Sequence, residues 1–271
     1  MPLPSPSVPT FETTVPSTGK KIKYRPFLVK EEKVLLFVME SQPELPDQVG
    51  GILYKDLPEP ARKEFEDIYS KDMEKWEADV RNAVKDILKA TIISRVKIED
   101  LANFDLEYLF LKIRAASVGE ELKLRVTCRD DGETQVTTSI NLDDVEVQKS
   151  EDHSNKIMLS DDLGLVMKYP GFKQFVDITL LEKSMNDTEE LFDLLADCVD
   201  QIFEGDQVWE STDLKKSEIV EFIEKMTQKQ FEKLQAFFTS LPRLYHDFKV
   251  TNPNTGVEST YRLEGLQSFF G

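Results

Sequence analysis

Two cysteines and two histidines in 271 residues leave this chain short of the side chains that most often ligate metals or form covalent intermediates. Tetrahedral zinc takes four nitrogen or sulfur ligands, usually held in pairs by tight turns. Cys128, Cys198, His153 and His246 are all far apart in the chain. No metal or other cofactor is therefore expected, and no Ser–His–Asp arrangement suggests itself. The cysteines are too few for a disulfide framework, and a reducing setting is expected. No apolar run approaches the ~20 residues of a membrane span. The opening "MPLPSPSVPTFETTVPSTGKK" lacks the basic cluster and apolar centre of a signal peptide. Basic residues are also in deficit, with 34 Lys and Arg against 51 Asp and Glu and a formal charge of −17. Such a chain repels phosphate backbones, which argues against nucleic acid and for proteins as partners.

What is present is enough for a core: 40% hydrophobic residues, 17 of them Phe. Residues 1–20 hold five of the 13 prolines and read as an extended, mobile arm. Residues 21–172 read as helices plus a hairpin, and 173–271 as helices plus a second hairpin and an apolar C-terminus. Helical spacing follows Val34, Leu35, Val38 and Met39, then Trp76, Val80, Ala83, Val84, Ile87 and Leu88, then Leu106, Leu109, Phe110 and Ile113. Gly119 is placed to end the last of these with φ > 0, and Arg114 sits near its C-terminus, where a cation favours the dipole. "NDTEELFDLLADCVDQIFEG" reads as one helix closed by Gly205, with Cys198 on its apolar side.

"LKLRVTCRDDGETQVTTSINL" alternates, turns and alternates back, which predicts a β-hairpin. Val126, Thr127, Gly132 and Leu142 match Val250, Thr251, Gly256 and Leu266 at a constant offset of 124, so a second hairpin is expected near the C-terminus. Cys128 has Asn252 as its counterpart. The fold class expected is α+β, mainly α: helical blocks with two related, degenerate zinc-ribbon-like hairpins.

Catalytic candidates are weak. Acids flank Cys128 and would raise its thiol pKa, the opposite of what a nucleophile needs. Asp193, Asp197, Asp200 and Glu204 would share one helix face, which a solvated stripe explains. No residue is assigned a catalytic, cofactor-binding or metal role.

At "YRPFLVKEEKVLLFVMES", "FDLEYLFLKIRAASVGE" and "LEGLQSFFG" the sequence resembles the baseplate hub subunit family of T4-type contractile-tailed bacteriophages, whose members are described as hub subunits or hub-assembly proteins. The resemblance spans residues ~20–271. Many relatives carry Cys-x-x-Cys at the hairpin turns, which resembles a small zinc ribbon. Here Asp131, Asn252 and Thr255 stand in those places, so Cys128 reads as a remnant in a hairpin held by packing. The resemblance implies a virion structural or assembly protein, found in the tail baseplate or in the host cytoplasm during assembly. It would bind other tail and baseplate proteins and perform no catalysis. The alternative is a tail-associated hydrolase, a cell-wall hydrolase or protease. Arg114, Gly119, Leu266, Phe269 and Phe270 are the candidate interface or packing residues, the last three because a tail seldom exposes so much apolar surface.

Overall fold

A computed structural model describes residues 7–171 and 188–269. The chain divides into two compact units. One takes the residues up to Glu12 together with Ile22–Val96, and the other takes Thr13–Lys21 together with everything from Lys97 onward.

The first unit is built on two helices, α1 (Val29–Glu40) and α2 (Glu59–Thr91). The apolar stripe of α2 is buried only from Trp76 to Thr91, and Leu35 of α1 is buried with it. Trp76 Nε1 donates to Val38 O at 2.7 Å, which gives the buried indole its partner. Entry into α1 is fixed by Glu31. It accepts from Leu28 N and pairs with Arg25 at 2.9 Å, satisfying a backbone donor that the helix start leaves open. A short hairpin, β3 (Gln48–Val49) with β4 (Ile52–Leu53), occupies the Pro- and Gly-rich connection.

The hairpin of β1 (Phe11–Thr14) and β2 (Lys21–Tyr24) has its ends in the first unit and its tip, Thr13–Lys21, in the second. The mobile N-terminal arm expected from the prolines is therefore corrected over residues 11–20. Proline tolerates turns and edge strands, and Pro16 sits in the turn.

The second unit centres on α3 (Asn103–Val118), whose Phe104, Leu106, Leu109, Phe110, Leu111, Ile113 and Ala115 are all buried. A helix apolar on every side belongs inside a domain. Its start is capped backwards by Asp105, which accepts from Ala102 N at 3.1 Å, and also from Ser17 N at 2.9 Å and Ser17 Oγ at 2.5 Å. Three antiparallel sheets follow. One is the hairpin β5 (Glu121–Thr127) with β6 (Gln135–Asn141). Another has the order β13 (Glu258–Glu264), β12 (Arg243–Thr251), β7 (Glu146–Gln148). The third runs β11 (Gln207–Glu210), β10 (Val199–Glu204), β9 (Leu163–Met167), β8 (Lys156–Met158). Leu165, Val199 and Ile202 of this last sheet share a core with α4 (Thr188–Asp197), α5 (Lys216–Glu224) and α6 (Gln228–Thr239). Thr227 and Gln230 form the capping box of α6 that their spacing predicts.

The mainly helical class with two hairpins is overturned: the described residues hold thirteen strands in five small sheets beside six helices. The single helix ending at Gly205 is also corrected. The chain leaves α4 at Asp197 and becomes β10, so Asp200 and Glu204 lie on a strand, while Asp193 and Asp197 pair with Lys216 at 3.0 and 3.1 Å. The capping box that the spacing of Asn186 and Glu189 predicts lies outside the described residues. Zinc-ribbon likeness fails as well. Among the described residues, no group of three or more His, Cys, Asp or Glu is placed to hold a metal.

Candidate functional site

The two related hairpins share a turn that ends on glycine, and the first holds one residue more before its strand resumes. Cys128 N donates to Thr134 O at 2.7 Å and Gly132 N to Cys128 O at 2.9 Å. In the second hairpin Asn252 N donates to Val257 O at 2.9 Å and Gly256 N to Asn252 O at 2.8 Å. Gly132 and Gly256 take φ of +70° and +75°, a turn geometry that a side chain would strain. Each hairpin then runs into a 3-10 turn, beginning at Leu142 and at Leu266.

These turns face each other and are tied by polar groups. The Asn252 side-chain amide, on a residue 1% exposed, donates to Asp130 at 3.0 and 3.1 Å and to Asp131 Oδ2 at 2.8 Å. Thr255 Oγ1 donates to Asp130 Oδ2, and Asn254 Nδ2 donates to Thr134 Oγ1 at 2.9 Å. Tyr261 OH accepts from Arg129 N and donates to Thr127 O, both at 3.0 Å, with the Arg129 guanidinium 4.8 Å from its ring. Hydrogen bonds from Thr255 and Asn252 hold the Asp130 carboxyl below its ordinary range. Those from Thr134, first, hold Asp131 further below it. Burial and the two aspartates push the Cys128 thiol upward. To the packing expected to hold this hairpin the structure adds a hydrogen-bonded clasp. Sequence reading missed Asp130, Asn254 and Tyr261. The constant offset of 124 carried the signal, since it sets Cys128, Asp130 and Asp131 against Asn252, Asn254 and Thr255.

Of the candidate interface residues, Arg114 is half-buried on α3, and burial lowers its guanidinium pKa. Gly119 follows α3 with φ +110° and its N donates to Ala115 O at 3.0 Å. Phe269 is 1% exposed and packs with Leu111 and Ala115 of α3 and with Leu122, Ile140, Leu142, Val145 and Leu244. The structure thus brings Phe269 against the helix that carries Arg114 and ends at Gly119. Phe270 and the side chain of Leu266 lie outside the described residues.

Other polar groups are buried without forming a reactive set. Burial raises Glu107 of α3 to about 8, with nearby Glu264 adding to the rise and Arg243 opposing it. His153 is buried between the rings of Tyr169 and Phe237, with Nδ1 2.9 Å from Ser240 Oγ. Its burial lowers the imidazole pKa. Burial carries the Cys198 thiol up to about 12. Among the described residues no hydrogen bond joins either cysteine to a histidine. A cleft of about 620 Å³ is lined by Ser17, Asn155, Lys168, Asp197 and Asp200, among others. Asp197 there is already paired with Lys216.

On the first unit, α1 turns Phe37 outward at 74% exposure beside the exposed Leu36 and Val29. No helix of the described residues is long and apolar enough to cross a membrane.

A family model described as "T4 bacteriophage base plate protein" matches residues 8–60 and 61–271. No curated protein and no solved structure matches the chain.

Proposed function

We propose, for a chain that belongs to the T4 bacteriophage base plate protein family, that it serves in the hub of the baseplate as a structural or assembly protein, working by protein–protein contact. The family match, which runs over almost the whole chain, supports the baseplate part of this reading. Two physical features support it. The second unit carries −14 of the net charge of −17, so it disfavours self-association until a basic partner neutralises it. The first unit presents the apolar side chains of α1 to solvent, a surface that contact with another protein would cover.

Mass spectrometry of purified particles and of isolated baseplates tests the reading, together with complementation of phage lacking this gene. Tailless or baseplate-defective particles are expected without the protein, and capture from infected cells should recover hub proteins. Normal particles in its absence, with no baseplate protein captured, would overturn it. Presence in mature particles marks a structural part; presence only in assembly intermediates marks an assembly factor.

A further inference from the structure

The four-stranded sheet ends on one side at β11, where all of Gln207–Glu210 are exposed. Among the described residues β11 pairs with β10 alone, Glu204 with Gln207, Phe203 with Val208, Ile202 with Trp209 and Gln201 with Glu210. The two-residue turn Gly205–Asp206 makes Glu204–Gln207 a hydrogen-bonded pair, and bonded and non-bonded pairs alternate from there. Val208 and Glu210 fall at the non-bonded positions, so their N–H and C=O groups point away from β10. An uncovered edge of this kind is a template for another strand.

Its side chains are apolar and acidic. Val208 is 54% exposed and Trp209 37%. From Asp200 to Leu214 the chain carries Asp200, Glu204, Asp206, Glu210 and Asp213, with no Lys or Arg. Proteins usually blunt an edge with lysine or proline, and β11 has neither.

We propose that β11 is a docking strand: an extended segment of a partner protein, alternating basic with β-branched residues, adds to it as a fifth strand. Charge selects this occupant. Two copies of the chain laid edge to edge would set acid against acid, whereas a Lys- or Arg-bearing strand sets opposite charges across the new ladder. On one face its apolar residues cover Trp209, on the other its basic residues meet Glu210 and lay their stems along Val208, and its backbone takes up the outward groups of Val208 and Glu210. This inference rests on the reading that the chain works by protein–protein contact.

A fluorescein-labelled peptide of about ten residues alternating Lys and Val, long enough for a typical strand, serves as the probe, with binding to the full chain read by anisotropy. Val208→Pro removes an outward N–H while leaving the bonds to β10 in place. Glu210→Lys reverses a charge on the edge, and Glu151→Lys, on an exposed loop, is the control. Saturable binding is expected, weakened at least about tenfold by each edge variant and unchanged by the control. A peptide with Glu for Lys should not bind. No saturable binding, or equal weakening by Glu210→Lys and Glu151→Lys, overturns the proposal. Should Val208→Pro lose the native circular dichroism spectrum, the comparison of the two charge reversals decides alone. In infected cells, normal baseplates built with folded Val208→Pro protein would sink the docking strand and leave the hub reading intact. Baseplates that form without the chain would sink the hub reading instead.

Discussion

Asn252 and Asp131, 121 residues apart, are joined by a side-chain hydrogen bond of 2.8 Å that closes one hairpin turn onto another. The bond is strongest with Asp131 ionised, because a carboxylate is the better acceptor and a protonated acid adds a competing donor. Asp130 and Asp131 both sit below their ordinary pKa, so their contribution is present above the unfolded value of ~3.9 and is lost as pH falls toward the folded values. The melting temperature should therefore drop on acidification below about pH 4, and Asn252→Ala should flatten that drop. Parallel acid profiles of the two proteins would refute the clasp.

Glu107 has the opposite sign. An acid whose pKa rises on folding binds a proton in the native state that the unfolded chain has already released. Stability should thus decline as pH climbs from the unfolded value of ~4.3 to about 8. Glu107→Gln should gain on the order of 3 kcal/mol over the native protein at pH 8 and little at pH 5. Denaturant titrations at both values check it, and a gain equal at both would count against burial as the cause.

Gly164 lies on β9 beneath the ring of Phe203. A Cβ placed there would overlap the ring and come within 2.7 Å of the Ile157 carbonyl oxygen. Gly164→Ala should cost about 1–3 kcal/mol through overpacking. Phe203→Leu in the same protein should recover part of this, since the ring can be removed but the carbonyl cannot. A neutral Gly164→Ala variant would show that the strands separate freely.

Phe269 fills a site between α3 and the two hairpins, so Phe269→Ala should cost about 3–5 kcal/mol, the range for a buried aromatic. Removing residues 267–271 should have the same effect and yield little folded protein. If the shortened chain melts like the full one, the ring is not holding the hairpins.

The helical parts of this architecture were legible because their apolar residues recur over many turns, as Trp76 to Leu88 do in α2. Both hairpins could be read from alternation and from the matched Val-Thr and Gly positions. Of the four-stranded sheet, β8 and β9 read as two short extended pieces about the Asp161–Gly164 turn, but β10 did not read as a strand. "VDQIFE" directly follows a helix and has Val199 and Ile202 three apart, a spacing that suits either state, and only pairing with β9 makes it a strand. The N-terminal hairpin of β1 and β2 was hidden by proline, which marks turns and loose segments alike. The clasp escaped because Asp130, Asp131 and Asn252 are ordinary turn residues in isolation. Their meaning depends on two turns meeting, and the repeat offset was the one feature that put them side by side.

The path of the N-terminal hairpin also governs the order in which the polypeptide can be completed. The chain passes between its two units three times, at residues 12–13, 21–22 and 96–97. Ser17 leaves the ribosome 88 residues ahead of Asp105, the group that holds it. At the usual 5–20 residues per second, that segment waits about 4–18 seconds for its partner. Val15, in the same segment, is buried in the finished protein. The first unit can gather its helices in the meantime, but the second must draw back a piece of chain made long before it. Synthesis from residue 97 alone would therefore give a second unit in which Asp105 keeps its bond to Ala102 N but lacks those from Ser17, and supplying residues 7–21 as a separate peptide should restore them.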